Sequence, residues 1–217
     1  VTANNQFAFD LSARLRQGAQ NLFFSPFSVF AALVMTYGGA RGETAAQMAA
    51  TLHLPEQGAA SHMAVGKLLQ DLCGGGDAHR YSLHIANALW KRQGLDFLPE
   101  FVDLMREHYG AEPQEADFAA AMEEACRRIN AWVMEQTQGR IRDLVHAHED
   151  VTPDTLTVLV NAIHFKARWD QEFWKPDTKP ENFFLAPERT VPVPTMRMES
   201  EHQKFGFFDA GSFKLLE

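Results

Sequence analysis

The sequence predicts an α+β fold, with helices first, helices and strands interleaved in the middle, and a β-rich end. Three observations carry this expectation. Apolar residues recur at helical spacing in several segments before residue 137. The stretch T-L-T-V-L-V-N-A-I-H-F-K, Thr155 to Lys166, is apolar on both alternating faces. Residues 180–217 hold short Phe-rich and Val-rich runs broken by prolines. A chain of 217 residues with 46% hydrophobic residues can bury a sizeable core.

The elements follow in order. Phe7, Leu11 and Leu15, four apart, place an opening helix over residues 4–16. Asn21 to Ser25 reads as a short apolar strand. Ser25 then supplies a helix cap and Pro26 a first helical residue, where no N–H partner is needed. Phe27, Phe30, Ala31 and Val34 share one face of that helix, and Val29 and Leu33 fill the opposite side. An element apolar all round belongs in the middle of a domain. Gly38-Gly39 ends it. Thr44 and Gln47 are spaced as a capping box for the next helix, with Ala45, Met48, Ala49 and Leu52 inward and Pro55 beyond its end.

A further helix runs from about Ala60 to Leu72 and stops at Gly74-Gly75-Gly76. No Lys-Ser/Thr follows those glycines, so they read as a turn rather than a phosphate loop. Tyr81 to Lys91 alternates as a strand, with Tyr81, Leu83, Ile85 and Leu89 on one face. Pro99 opens a helix carrying Phe101, Val102, Met105 and Tyr109, closed by Gly110. Residues 112–118 form a candidate strand. Met122 to Gln136 is an amphipathic helix, with Met122, Ala125, Cys126, Ile129, Trp132 and Val133 inward and Glu123 and Glu124 favoured at its positive end. Thr155 to Lys166 is the expected central strand of the sheet. Pro192 and Pro194 confine a later strand to an edge.

Composition excludes several classes. A net charge of −8 argues against a general nucleic-acid binder. The longest unbroken apolar run, Val29 to Met35, is too short to span a membrane. Cys73 and Cys126 have no metal, haem or redox spacing and read as free thiols. Val1 to Asp10 lacks the charged start and apolar stretch of a signal peptide. Seventeen Phe against three Tyr point to large buried surfaces rather than a wet binding face.

Catalytic and metal sites are not expected. Ser25 and Ser28 stand outside any G-x-S-x-G turn. His146, His148, Glu149 and Asp150 lack the helical spacing of paired ligands and read as a solvated loop. His164, inside the long strand, reads as a satisfied core histidine. No cofactor is implied. More telling are polar residues lodged in apolar strings: Ser25 and Ser28 at the entry to the apolar helix, and Asn161 within the long strand. Buried polar groups need partners. A hydrogen-bond cluster between sheet and helix is one expectation, and plain capping by Ser25 with a strand-end Asn the other.

Five strings together resemble one family. N-L-F-F-S-P-F-S (21–28) is similar to the opening of the serpins' second helix. G-A-R-G-E-T-A-A-Q-M (39–48) is similar to the turn into their third. W-V-M-E-Q-T-Q-G-R-I-R-D-L-V (132–145) resembles the end of their sixth helix and its passage back over the sheet. L-V-N-A-I-H-F-K-A-R-W (159–169) resembles the third strand of their main sheet and the turn beyond. V-P-T-M-R-M (193–198) falls where they place a strand of the second sheet. All five occur in family order.

The resemblance implies helices packed on a large mixed sheet plus a second β-rich region, in one serpin-like domain over residues 1–217 that is incomplete relative to the family. It implies a suicide-substrate inhibitor of serine or cysteine endopeptidases. A target protease cleaves an exposed loop, which then inserts as a new strand in the main sheet. Ser25, Ser28 and Asn161 match the shutter, the polar cluster under the sheet, and Trp169 matches the breach, where insertion begins. His164 stands where the family commonly has Tyr, and Ala167 where it commonly has Gly. The reactive loop and its scissile bond lie beyond Glu217. The implied partners are a target protease and the C-terminal part of the same chain, with no nucleic acid and no membrane. The family leans to an extracellular setting. The alternative on the same scaffold is a non-inhibitory binding, carrier or chaperone protein.

Overall fold

The computed structural model describes residues 1–16, 21–55, 58–74, 81–169, 171–198 and 206–216. The chain divides into two compact units, Val1–Ala167 and Arg168–Glu217.

The first unit is built on a three-stranded mixed sheet in the order β2-β1-β3. Strand β1 (Tyr81–Arg92) is the middle strand, parallel to β2 (Pro113–Ala116) and antiparallel to β3 (Thr157–Ala167). The expected central position of the long strand is thereby corrected. β3 is covered on both faces over Val158 to Ile163 and exposed from Phe165 on, and in the described residues it pairs on one side only. The ladder sets like against like: His84 opposite His164, Ile85 opposite Ile163, Ala86 opposite Ala162, Asn87 opposite Asn161 and Leu89 opposite Leu159.

The two sheet faces carry separate cores. Ala88, Trp90, Val160 and Ala162 pack under helix α6 (Met122–Gln136), which presents Met122, Ala125, Cys126, Ile129 and Val133 inward as its spacing predicts. The opposite face, with Leu89 and partly buried Ile85 and Leu159, meets α1 (Thr2–Leu15), α2 (Pro26–Tyr37), α4 (Gly58–Gly74) and α5 (Pro99–Tyr109) through Phe7, Phe30, Val34, Leu69 and Met105. Full burial of a side chain such as Ile129 or Phe118 contributes about 1.5–3 kcal/mol.

Helix boundaries follow their punctuation. Ser25 caps α2 by accepting from the Ser28 N–H, with Pro26 in the first turn. Gly110 closes α5 in the left-handed conformation at φ 61°, where a Cβ would be strained. Three local expectations are corrected. Asn21 to Ser25 is extended but joins no sheet, and Phe23 is fully exposed. Helix α2 is buried on one face rather than all round, leaving Val29 exposed. Helix α3 (Gly42–Thr51) begins two residues before Thr44, which therefore lies inside the helix and cannot cap it. Gln47 instead donates to the Glu43 carboxylate. Of the predicted glycine turn, Gly75 and Gly76 lie outside the described residues.

Among its described residues the second unit holds two hairpins and a 3-10 turn at Lys175–Asp177. β4 (Lys179–Ala186) pairs with β5 (Arg189–Thr195), and β6 (Phe207–Asp209) with β7 (Lys214–Leu216). In a two-stranded sheet every strand is an edge, which accommodates Pro192 and Pro194. Phe183, Phe184, Phe207 and Phe208 are exposed. The Phe excess was expected to fill cores. An isolated hairpin has no second layer to cover its apolar face, so here it does not.

Candidate functional site

Asn161 lies mid-way along β3, on the sheet face that looks toward α2, α4 and α5, because it alternates with Leu159 and Ile163. Its amide nitrogen donates to Asn87 Oδ1 at 2.7 Å. The two residues are directly opposed in the ladder, and Asn87 is 8% exposed. Asn161 Oδ1 is buried and has no hydrogen-bond partner among the described residues. Leaving such a group unpaired costs about 1–3 kcal/mol. The pair is therefore half satisfied, with one acceptor free on the helix side of the sheet.

Ser25 and Ser28 form their own pair at the entrance to α2. Ser28 Oγ donates to Ser25 Oγ at 3.0 Å, and the Ser28 N–H reaches the same oxygen at 3.3 Å. Both residues are half-buried. Among the described residues no hydrogen bond links this pair to Asn161. The structure thus brings Ser25 and Ser28 together, and Asn161 to Asn87. Trp169 belongs to the second unit, where its ring meets Phe173 edge-on at 5.5 Å and stays largely exposed.

Asn87 was missed in the sequence. The signal that singled out Asn161, an amide inside an apolar strand, was equally present in Tyr81 to Lys91. Asn130 was missed too. Its Oδ1 accepts from the Leu144 and Val145 N–H groups and its Nδ2 donates to the Val145 carbonyl, tying α6 to the chain that passes back over the sheet. An Asn on a helix gives no sequence signal that it reaches a segment some fifteen residues on.

His164 corrects its expected role. It is half-buried, its Nδ1 is shielded and unpartnered, and its ring stacks on that of His84. In the loop 146–150, His146 N–H and Nδ1 both reach Asp150 Oδ2, and these contacts hold the Asp150 carboxyl below its usual range. Among the described residues no group of three or more His, Cys, Asp or Glu could hold a metal ion.

Comparison with known proteins decides the family. The family model for Serpin (serine protease inhibitor) matches residues 2–217. The chain belongs to the serpin family. It is 42% identical over 209 residues to the leukocyte elastase inhibitor of Bos taurus, covering 94% of this chain and 53% of that serpin. It is 41% identical over 217 residues to an uncharacterised serpin-like protein of Thermococcus kodakarensis, covering all of this chain and 49% of that protein. The chain spans about half the length of the curated relatives it matches. Among solved serpin structures, human thyroxine-binding globulin in complex with its hormone superposes with a TM-score of 0.84 at 30% identity, over 99% of this chain and 57% of that one. Serpin folds related to this chain thus include a protein named for inhibiting a protease and one named for binding a hormone.

Proposed function

We propose that the protein to which this serpin chain belongs is a suicide-substrate inhibitor of serine or cysteine endopeptidases rather than an enzyme. The cleaved reactive loop would add as a strand beside β3. The observation that most supports this reading is the 42% identity to a leukocyte elastase inhibitor, and β3 is the strand beside which the loop would add. Eleven residues, Thr157–Ala167, form a long strand covered on both faces near its start, with no strand on that edge among the described residues. Such an edge is a template for a further strand. The Asn161 acceptor left free behind it gives a polar point at which the sheet can open and reclose. In this reading Ser25, Ser28 and Asn161, with Asn87, act as the shutter, and Trp169 marks the breach where insertion starts. The partners are a target protease and the C-terminal part of the same chain.

A second reading, a non-inhibitory carrier on the same scaffold, is favoured by the likeness to thyroxine-binding globulin. One experiment separates the two. The whole protein is incubated with a panel of serine and cysteine proteases and run on denaturing gels. A covalent complex stable to SDS with at least one protease supports inhibition. Clean loop cleavage by every protease, with no complex and no gain in thermal stability after cleavage, overturns it and favours the carrier.

A further inference from the structure

His84 and His164 occupy directly opposed positions on β1 and β3. Both alternate with Ala86 and Ala162 on the sheet face that packs under α6, beyond the part of that face which the helix covers. Their rings lie 6.1 Å apart, centroid to centroid, at an interplanar angle of 25°. His84 is exposed and His164 half-buried. His164 Nδ1 is buried and has no hydrogen-bond partner among the described residues, which leaves an imidazole nitrogen for a ligand. The turn after α6 closes over the pair. Gln138, in the left-handed conformation at φ 52°, brings its side-chain amide to 3.5 Å from His84 Nε2. Ser82 Oγ stands 2.9 Å from the same nitrogen.

We propose that His84 and His164 form a two-imidazole site for a divalent transition-metal cation of the zinc or copper class. Imidazole nitrogen suits these metals, and bonds of about 2.0–2.1 Å bring two ligating nitrogens to about 3 Å from each other. From a centroid separation of 6.1 Å, metal binding requires both rings to rotate until their nitrogens converge. Rotating the Gln138 amide end for end presents its oxygen as a third ligand, and water fills the rest. The carbonyl end of α6, where the helix dipole is negative, lies at Gln136 immediately before this turn and favours a cation. One charge opposes it: Lys166 lies opposite Ser82 on the same face. Its side chain is exposed and free to extend its ammonium into water. A cation held here would bind β1, β3 and the turn after α6 into one unit.

The test uses the whole protein and its His84→Gln, His164→Asn and double variants. Zn2+ titration by calorimetry should show one site that weakens at least tenfold in each single variant and is lost in the double variant. Cu2+ bound to the native protein should give an electron-paramagnetic spectrum with two coordinated imidazole nitrogens, reduced to one in each single variant. Lys166→Gln should tighten Zn2+ binding. Should His164→Asn fail to fold, the exposed His84→Gln decides alone. Equal Zn2+ affinity and stoichiometry in the native protein and in His84→Gln would overturn the proposal, as would a native Cu2+ spectrum lacking the second imidazole.

Discussion

The Asn161 side-chain amide donates a 2.7 Å hydrogen bond to Asn87 Oδ1, between two residues that face each other across the β1–β3 ladder. Truncating either partner leaves the other stranded. Asn161→Ala should therefore destabilise the folded protein by about 1–3 kcal/mol. Replacing both residues by Leu should cost less than the sum of the single replacements, because no orphan amide remains. A double-mutant cycle in guanidinium unfolding measures this, and additive effects would show that the bond contributes nothing.

Ser25 and Ser28 are chemically alike but hold different posts. Ser25 accepts both bonds at the start of α2, whereas Ser28 provides the donors. Ser25→Ala should cost about 1 kcal/mol, the usual penalty for a lost helix cap. Ser28→Ala keeps the capping N–H and should cost less. Unfolding midpoints for the two variants test the order, and a larger effect at Ser28 would contradict the capping assignment.

His62 is buried between Tyr37, stacked at 5.8 Å, and Tyr109, whose hydroxyl lies 2.7 Å from its Nδ1. Burial, with a contribution from His108, pulls its pKa down to about 4. Burial pushes the Tyr109 hydroxyl up, so that proton stays on oxygen. Above pH 6.5 the ring is neutral folded or unfolded, and there is no linkage. Between pH 6.5 and about 4 only the unfolded state takes up the proton, so stability falls as pH drops and then levels off. His62→Gln should flatten the pH dependence of the thermal midpoint in that window. An unchanged slope would remove His62 as its source.

Gly66 on α4 is a close-approach site against α5. A Cβ there would meet the His108 carbonyl oxygen at 2.7 Å, and that atom belongs to the backbone. Gly66→Ala should destabilise by about 1–3 kcal/mol despite the better helix propensity of Ala. Exposed Gly94, with φ +78° and no neighbour within 4 Å, makes a control in which only backbone strain acts. Circular dichroism melts of both variants separate steric from conformational cost.

The two thiols should differ in reactivity. Cys73 is exposed. Cys126 is buried on the inner face of α6, where burial and then the Asp150 and Glu123 charges push its pKa up. Thiolate is the reactive form. A disulfide reagent should titrate one thiol rapidly in the native protein and the second only on unfolding. Two fast equivalents would mean that α6 opens readily from the sheet.

Much of the architecture could be read from pattern. The inward stripe of α6, the Ser25-Pro26 entry to α2 and the Gly110 stop of α5 are local signals that burial or φ requirements write directly into the chain. What could not be read depends on partners distant in sequence. Val158, Leu159 and Val160 show that a strand is covered on two faces, but not which neighbour lies beside it, so β1 rather than β3 occupies the middle. The capping box at Thr44 was a pattern without its context, because Arg41 and Gly42 start the helix earlier. Within the candidate site, Asn161 was legible as an amide among aliphatic residues. Its satisfaction by Asn87 was not, since pairing seventy-four positions apart is fixed by strand register.

That register has a consequence of its own. From His84 to Leu89 each residue faces its like across the ladder, with Ala88 opposite Val160 the exception. The matching exists in this register alone, and the amides penalise any slip. A slip of two residues would set Asn87 against Leu159 or Ile163, and Asn161 against Ile85 or Leu89, burying two amides without partners. A slip of one would turn every side chain to the wrong face. Only the native alignment lets the two amides bond to each other, so these two strands must travel as a single slab whenever the sheet moves.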